Sequence, residues 1–165
     1  MSQVVIDNDF LPDRPLEMLR SGDYKQNINL MIGTAKDEGS FVIAFYVDPH
    51  KYSQNNPPNI TFSEAADDLA RISSTLYSKA PVDGQEVSRL YFSGLSDRSG
   101  SDLLRRTIGI AIGDYLLGCP TIQFGKEVFA NSESNNNRVY QYYYTSKIAN
   151  EEPLCAPKTI KFSLC

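Results

Sequence analysis

Among the side chains able to act as acid, base, nucleophile or ligand, Glu38 has the most informative surroundings. It stands in Lys36-Asp37-Glu38-Gly39-Ser40, between the apolar run Leu30-Met31-Ile32-Gly33 with Thr34 and the apolar run Phe41-Val42-Ile43-Ala44-Phe45-Tyr46. The pattern reads as a buried strand from Leu30 to Thr34, a tight polar turn and the start of a helix. A carboxylate just past the C-terminal end of a strand in an α/β sheet sits where such sheets keep their chemistry. Gly39 lets the backbone take a positive φ or approach a neighbour closely, and Ser40 can cap the helix that follows. An ordinary acidic turn is the alternative reading. A base and a nucleophile are harder to find. The single histidine, His50, lies in the loop Val47-Asp48-Pro49-His50-Lys51 and reads as a solvated surface residue. No Gly-x-Ser-x-Gly elbow occurs; Ser93-Gly94 and Ser99-Gly100-Ser101 lack its flanking pattern and the strand before it.

The elements that must hold Glu38 follow from periodicity. Pro15 to Arg20 reads as a short helix with Pro at its first turn and Gly22 just past its end. Residues 48 to 60, with Pro49, Pro57 and Pro58, form a loop. Thr61 and Glu64 then make a capping box. Phe62, Ala65, Leu69, Ile72 and Leu76 follow at helical spacing, so a helix is predicted to about Tyr77. Val87, Leu90 and Tyr91 mark a short helix after Asp83-Gly84. The longest helix is predicted from Ser101 to Leu117, with Leu103, Leu104, Ile108, Ala111, Ile112 and Leu116 facing inward. Gly109 and Gly113 cost it helix propensity, so close packing on a neighbour is the expected compensation. A helix from about Ile122 to Ala130, a loop to Asn137 and a tyrosine-rich strand from Val139 to Thr145 complete the reading. Tyr140, Tyr142, Tyr143 and Tyr144 are assigned to strand packing rather than to a ligand cage. Two strands about a hundred residues apart do not make a self-sufficient sheet, so the chain reads as a piece of a larger α/β domain.

The bulk properties narrow the classes. At 165 residues the chain is long enough for one core, and 41% hydrophobic with 22% charged residues is ordinary for a soluble globular protein. A formal net charge of -4 without a Lys/Arg cluster argues against a nucleic-acid partner. Met1-Ser2-Gln3-Val4 has neither the basic region nor the apolar run of a secretory leader, so no signal peptide is read in this chain. The three cysteines, Cys119, Cys155 and Cys165, leave at least one unpaired within the chain. Asn59-Ile60-Thr61 fits the N-glycosylation pattern, although such triplets also arise by chance.

Three stretches, in order, carry a resemblance. Asp7-Asn8-Asp9-Phe10-Leu11-Pro12-Asp13-Arg14-Pro15-Leu16-Glu17-Met18-Leu19 with Ser21-Gly22-Asp23-Tyr24 comes first, then Leu30 to Phe41, then Gly113-Asp114-Tyr115-Leu116-Leu117-Gly118-Cys119-Pro120-Thr121. Together they resemble the C-terminal half of the type-B carboxylesterase and cholinesterase family, over roughly residues 4 to 145. The resemblance implies an α/β class and an incomplete α/β-hydrolase fold, the C-terminal part of the sheet with its helices. It divides the chain into residues 1-146 from the esterase domain and a divergent tail, 147-165, where the family's His-Gly segment is not found.

The resemblance also implies roles. Glu38 corresponds to the triad glutamate, with the nucleophile and the oxyanion-hole glycines upstream of this sequence. Phe41 matches a position that stacks on a quaternary ammonium, Val42 one that lines the acyl pocket, and Phe45 an aromatic position near the gorge constriction; core packing of an apolar helix face is the alternative for all three. Cys119 matches a family cysteine that forms a disulfide with one further along, and Asn59 gains interest beside mostly secreted or cell-surface enzymes. The implied substrate is a carboxylic ester such as a choline ester, with no cofactor and no metal. The implied partner is the missing N-terminal part of the same domain. With the triad acid but neither nucleophile nor base, the chain alone is expected to be inactive. A non-catalytic, neuroligin-like adhesion relative is the second reading, and a short decoy or chaperone-like protein the third.

Overall fold

The computed structural model describes residues 5–7, 9–53, 56–76 and 82–145. The predicted helix end at Tyr77, the start at Met1 to Val4, Cys155, Cys165 and the 147-165 tail lie outside the described residues. The chain divides into two compact units, Met1–Ala35 with Cys119–Cys165, and Lys36–Gly118.

In the first unit, helix α1 (Pro15–Ser21) starts on Pro15 and stops at Gly22, whose φ of 77° places it in the left-handed region. There the amides of Gly22 and Asp23 reach back to the carbonyls of Leu19 and Met18 at 3.3 and 2.9 Å. Ahead of α1, Oδ1 of Asp7 accepts the amides of Asp9, Phe10 and Leu11 at 3.1, 3.0 and 3.0 Å. Those bonds, the one from Leu11 foremost, hold the Asp7 carboxyl below its ordinary value.

Strands β1 (Asn29–Ala35) and β2 (Arg138–Tyr144) are parallel, in register from Asn29 opposite Arg138 to Ala35 opposite Tyr144. Buried Asn137 sets the entry to the pair. Its Oδ1 accepts the Ile28 amide at 3.1 Å, its Nδ2 donates to the Tyr24 hydroxyl at 3.1 Å, and the next amide, Arg138, donates to the Ile28 carbonyl at 2.9 Å. Gly33 faces Tyr142 in the register, and a Cβ there would lie 2.6 Å from the tyrosine ring. A bare glycine is thus what lets the ring lie over β1. No further strand pairs with β1 or β2 among the described residues, and Met31 and Tyr140, opposite each other in the register, are 63% and 50% exposed.

Helix α6 (Cys119–Ala130) begins three residues before the predicted Ile122, at the Cys119-Pro120 pair; Pro is tolerated in a first turn, where its missing amide costs nothing. Gln141 donates to the Thr121 and Ile122 carbonyls at 3.4 and 3.3 Å, lying over Gly125, where any Cβ would strike it. The run expected to be a loop contains a one-turn helix α7 (Ser132–Asn135), ended by Asn136 at φ 52°. Asn is among the few residues that adopt that conformation cheaply.

The second unit holds α2 (Gly39–Val42) with a π-helical turn Ile43–Val47, then α3 (Phe62–Leu76), α4 (Gly84–Tyr91) and α5 (Ser101–Gly113) with a π-helical turn Asp114–Gly118. Its core is built on Leu69, Leu104 and Ile108, all fully buried, with Ile43, Ile72 and Ile112 around them. The capping box forms: the Thr61 amide and hydroxyl donate to Glu64 Oε2 at 2.8 and 2.9 Å, and the Glu64 amide donates to Thr61 Oγ1 at 3.2 Å. Asp83 caps α4 by accepting the Gln85 amide at 2.9 Å. Two expectations for α5 are corrected. Its α-helical bonding stops at Gly113 rather than Leu117, which leaves α3 the longer α-helix. Leu103 and Leu116 are 45% and 39% exposed rather than inward. Leu103 lies to one side of the stripe through Leu104 and Ile108, and the wider π turn rotates Leu116 out of phase with it.

The described residues between 48 and 60 lie in the predicted loop, and a polar network ties them down. Buried Arg105 donates to the Lys51 carbonyl at 3.3 Å, to Asp102 at 2.9 Å and to the Pro58 carbonyl. Asp68 on α3 accepts from the hydroxyl of buried Tyr52 at 2.6 Å and from Lys51 and Arg71 at 2.5 and 3.2 Å. Burial opposes ionisation of Asp68, but the bonds from Lys51, Tyr52 and Arg71 outweigh it and hold the carboxyl below its ordinary value. Burial first, then the bond to Asp68, pushes the Tyr52 phenol up. The Asp68 contribution is therefore full above the unfolded carboxyl value, near pH ~4, and is lost as pH falls through the lower folded value. Asp68→Asn should lower unfolding free energy by roughly 1–3 kcal/mol at neutral pH. Urea melts between pH 7 and 3 should show that gap closing only below about pH 4; a gap independent of pH would contradict the assignment.

Candidate active site

Immediately after β1 the chain enters the second unit through Lys36, Asp37 and Glu38. Glu38 is half-buried, with φ -54° and ψ -33°, and stands directly before α2. The expected capping by Ser40 does not occur. Because the backbone is already helical at Glu38, Ser40 lies inside α2, and its hydroxyl donates back to the Asp37 carbonyl at 2.8 Å beside its own amide at 3.1 Å. Asp37 is held from its side chain as well. Arg106 on α5 donates Nε to Asp37 Oδ1 at 2.8 Å and Nη2 to Oδ2 at 3.3 Å, a two-pronged carboxylate grip.

Of the two uses expected for Gly39, close approach is the one observed. Its φ is not positive, and its Cα faces the backbone of α5. A Cβ on Gly39 would overlap the Gly109 carbonyl oxygen and lie 2.5 Å from the Gly113 amide nitrogen. A Cβ on Gly113 would in turn lie 2.6 Å from the Gly39 nitrogen. This is the neighbour for which Gly109 and Gly113 give up helix propensity. Arg106, Gly109 and Gly113 recur at the spacing of one helix face, so a single stripe of α5 grips the residues on either side of Glu38.

The three residues expected to shape a substrate pocket separate. Phe41 and Phe45 are 53% and 66% exposed, with ring centroids 5.2 Å apart, whereas Val42 is half-buried against the core of the second unit. Tyr46, 72% exposed, approaches Phe41 edge-on at 6.1 Å. The π turn Ile43–Val47 inserts its extra residue just where these rings leave the core, and buries Ile43 and Ala44 instead. His50 is exposed; its amide and that of Lys51 donate to Asp48 Oδ1 at 3.0 and 2.9 Å, and these bonds, that from Lys51 first, hold the Asp48 carboxyl low. Asn59 is exposed in the loop before α3, and Cys119 is exposed and unpaired among the described residues.

Nothing in the sequence spacing points to the Arg106 grip on Asp37. The only signal is indirect: an arginine one helical turn before a glycine expected to pack closely. No helix among the described residues is long and apolar enough to cross a membrane.

A profile of the Carboxylesterase family matches residues 1–163. The chain is 27% identical to the acetylcholinesterase of Bungarus fasciatus over 146 residues, which are 88% of this chain and 22% of that protein. It is 27% identical to the cholinesterase of Mus musculus over 143 residues, 87% of this chain and 22% of that one. Likeness to the acetylcholinesterase of Leptinotarsa decemlineata is 25% over 147 residues, with 88% and 22% covered. The chain thus spans about a fifth of the length of the curated relatives it matches. A helix-rich chain with a two-stranded parallel sheet is compatible with the α/β-hydrolase fold that the family implies, and incomplete against it. Matched along nearly its whole length by that profile, the chain belongs to the carboxylesterase family.

Proposed function

We propose that this chain is the acid-bearing, C-terminal portion of a serine carboxylic-ester hydrolase of the cholinesterase-like kind, with Glu38 as its triad acid. The observation that carries the reading is the placement of Glu38: a half-buried carboxylate one turn past the end of a parallel strand, with both chain neighbours fixed on α5. Such a carboxylate accepts the Nδ1–H of a histidine, holds one tautomer and one orientation, and stabilises the imidazolium formed when that histidine takes the proton of an attacking serine. The serine then forms an acyl-enzyme with the ester, and water releases it. Serine and histidine are supplied by other parts of the enzyme, since His50 is a solvated loop residue and no serine elbow occurs in residues 1 to 165. The chain alone is accordingly expected to turn over no ester.

The exposed ring faces of Phe41 and Phe45 suit a quaternary ammonium, so a choline ester is the favoured substrate. Val42 in turn would contribute a small side chain to the acyl side. Cys119 is assigned to a disulfide and the protein to the secreted or cell-surface class. Asn59, exposed in its sequon, is expected to carry an N-glycan. Expression through the secretory route should then give a glycosidase-sensitive form that Asn59→Gln abolishes; an identical mobility for the two would dismiss the site.

The test is made on the complete gene product that contains this chain. It should hydrolyse phenyl acetate and acetylthiocholine, and a fluorophosphonate should label one serine and abolish both activities. A full-length product that hydrolyses neither ester and takes up no phosphonate would contradict the proposal and favour a binding relative.

A further inference from the structure

We propose that Arg106 is a positioning residue for Glu38, acting through Asp37; the inference rests on the reading of Glu38 as the triad acid. No side chain caps α2; within the turn that carries Glu38 the Ser40 amide and hydroxyl donate to the Asp37 carbonyl. The turn is also attached to a rigid element, α5, on either side of Glu38. On one side Gly39 lies against the backbone of Gly109 and Gly113, a contact that sets the distance between α2 and α5. On the other side Arg106 meets both oxygens of Asp37, at 2.8 and 3.3 Å.

A two-pronged guanidinium–carboxylate pair fixes the plane of the carboxylate as well as its position. With the Asp37 carboxylate held on α5 by two bonds, displacement of the peptide between Asp37 and Glu38 away from that helix works against both prongs. The direction in which the Glu38 side chain leaves the backbone is set by that peptide. Arg106 and Asp37 are 41% and 44% exposed, so water and salt screen the pair and its share of overall stability is small. Its consequence is orientation. A carboxylate that orients an imidazole is sensitive to displacements that hardly change stability.

The experiment uses the complete gene product that contains this chain, assayed on phenyl acetate, with Arg106→Gln, Arg106→Lys, Asp37→Asn, the double variant Arg106→Gln/Asp37→Asn, and Glu38→Gln. Arg106→Gln and Asp37→Asn should each lower kcat roughly tenfold with KM and melting temperature unchanged. The double variant should be no slower than either single one, because both remove the same contact. Arg106→Lys should recover little, since a point charge cannot grip both oxygens. If Glu38→Gln abolishes turnover while Arg106→Gln stays within about twofold of wild type, the positioning role is overturned and the acid assignment stands. Additive losses, or losses accompanied by a lower melting temperature, would mark Arg106 as merely structural and equally overturn it. If Glu38→Gln leaves kcat intact, the acid assignment itself fails, and the role of Arg106 with it.

Discussion

Replacing Glu38 by Gln in the complete enzyme should lower kcat on a simple ester by about 10⁴-fold while leaving KM and the melting temperature unchanged. The amide has nearly the shape of the carboxylate, so the attachment of Asp37 and Gly39 to α5 need not change. What changes is the proton pattern. An amide nitrogen facing the histidine favours the wrong tautomer, and an uncharged partner no longer stabilises the imidazolium as the serine attacks. A factor of this size corresponds to about 5 kcal/mol of transition-state stabilisation, far more than a half-buried side chain on an exposed turn contributes to folding. Glu38→Asp keeps the charge but withdraws it by one methylene, and a loss of about 10²-fold is expected from the displacement alone. Steady-state kinetics with a thermal melt of each variant checks both; equal losses for Gln and Asp would show that position, rather than charge and tautomer, dominates.

The largest effect on stability should come from a single methyl group at Gly39. In Gly39→Ala the new Cβ meets the Gly109 carbonyl and the Gly113 amide, both backbone, so no side-chain rotation can relieve the overlap. α2 must lift from α5, at a cost of about 3 kcal/mol and a fall in melting temperature of about 10 °C. Gly113→Ala meets the same contact from the other side, 2.6 Å from the Gly39 nitrogen, and should behave alike. Gly109→Ala is the informative contrast. Its Cβ would find Ser40 backbone atoms at 3.4 and 3.5 Å and the Ile43 side chain at 3.6 Å, a tight but tolerable fit. Against that, alanine gains up to ~1 kcal/mol of helix propensity over glycine, so the net change should lie near zero. Thermal melts of the three variants decide the matter, and equal destabilisation by all three would contradict the backbone contact.

Much of this architecture is legible in local chemistry. Pro15 and Gly22 bracket α1, Thr61 with Glu64 opens α3, and Asp83 opens α4, because caps and turn residues act over three or four positions and are therefore written contiguously. The close approach of Gly109 and Gly113 is readable as a need, yet its partner, Gly39, is seventy residues or more away and has no mark of its own beyond being a glycine. Ser40 misleads for a related reason. Ser is a good cap in general, but the backbone turns helical one residue earlier than the apolar run suggests. The π turns after Val42 and Gly113 escape notice because they keep the residues of an α-helix while shifting their phase, which is why Leu116 is misplaced. Glu38 itself is legible only through the words around it; strand, turn and glycine locate a carboxylate and say nothing of its partners. The Arg106–Asp37 grip is a long-range pairing between two ordinary charged residues, and such pairs leave no periodic trace.

The direction of the Glu38 carboxylate in the complete enzyme decides whether it is the triad acid. A crystal structure of the full gene product with a phosphonate on its serine would show it. A Glu38 carboxylate oxygen is expected within about 2.6–3.2 Å of a histidine Nδ1 whose Nε2 faces the phosphonylated serine. A different carboxylate in that place, with Glu38 turned to solvent, would contradict the assignment.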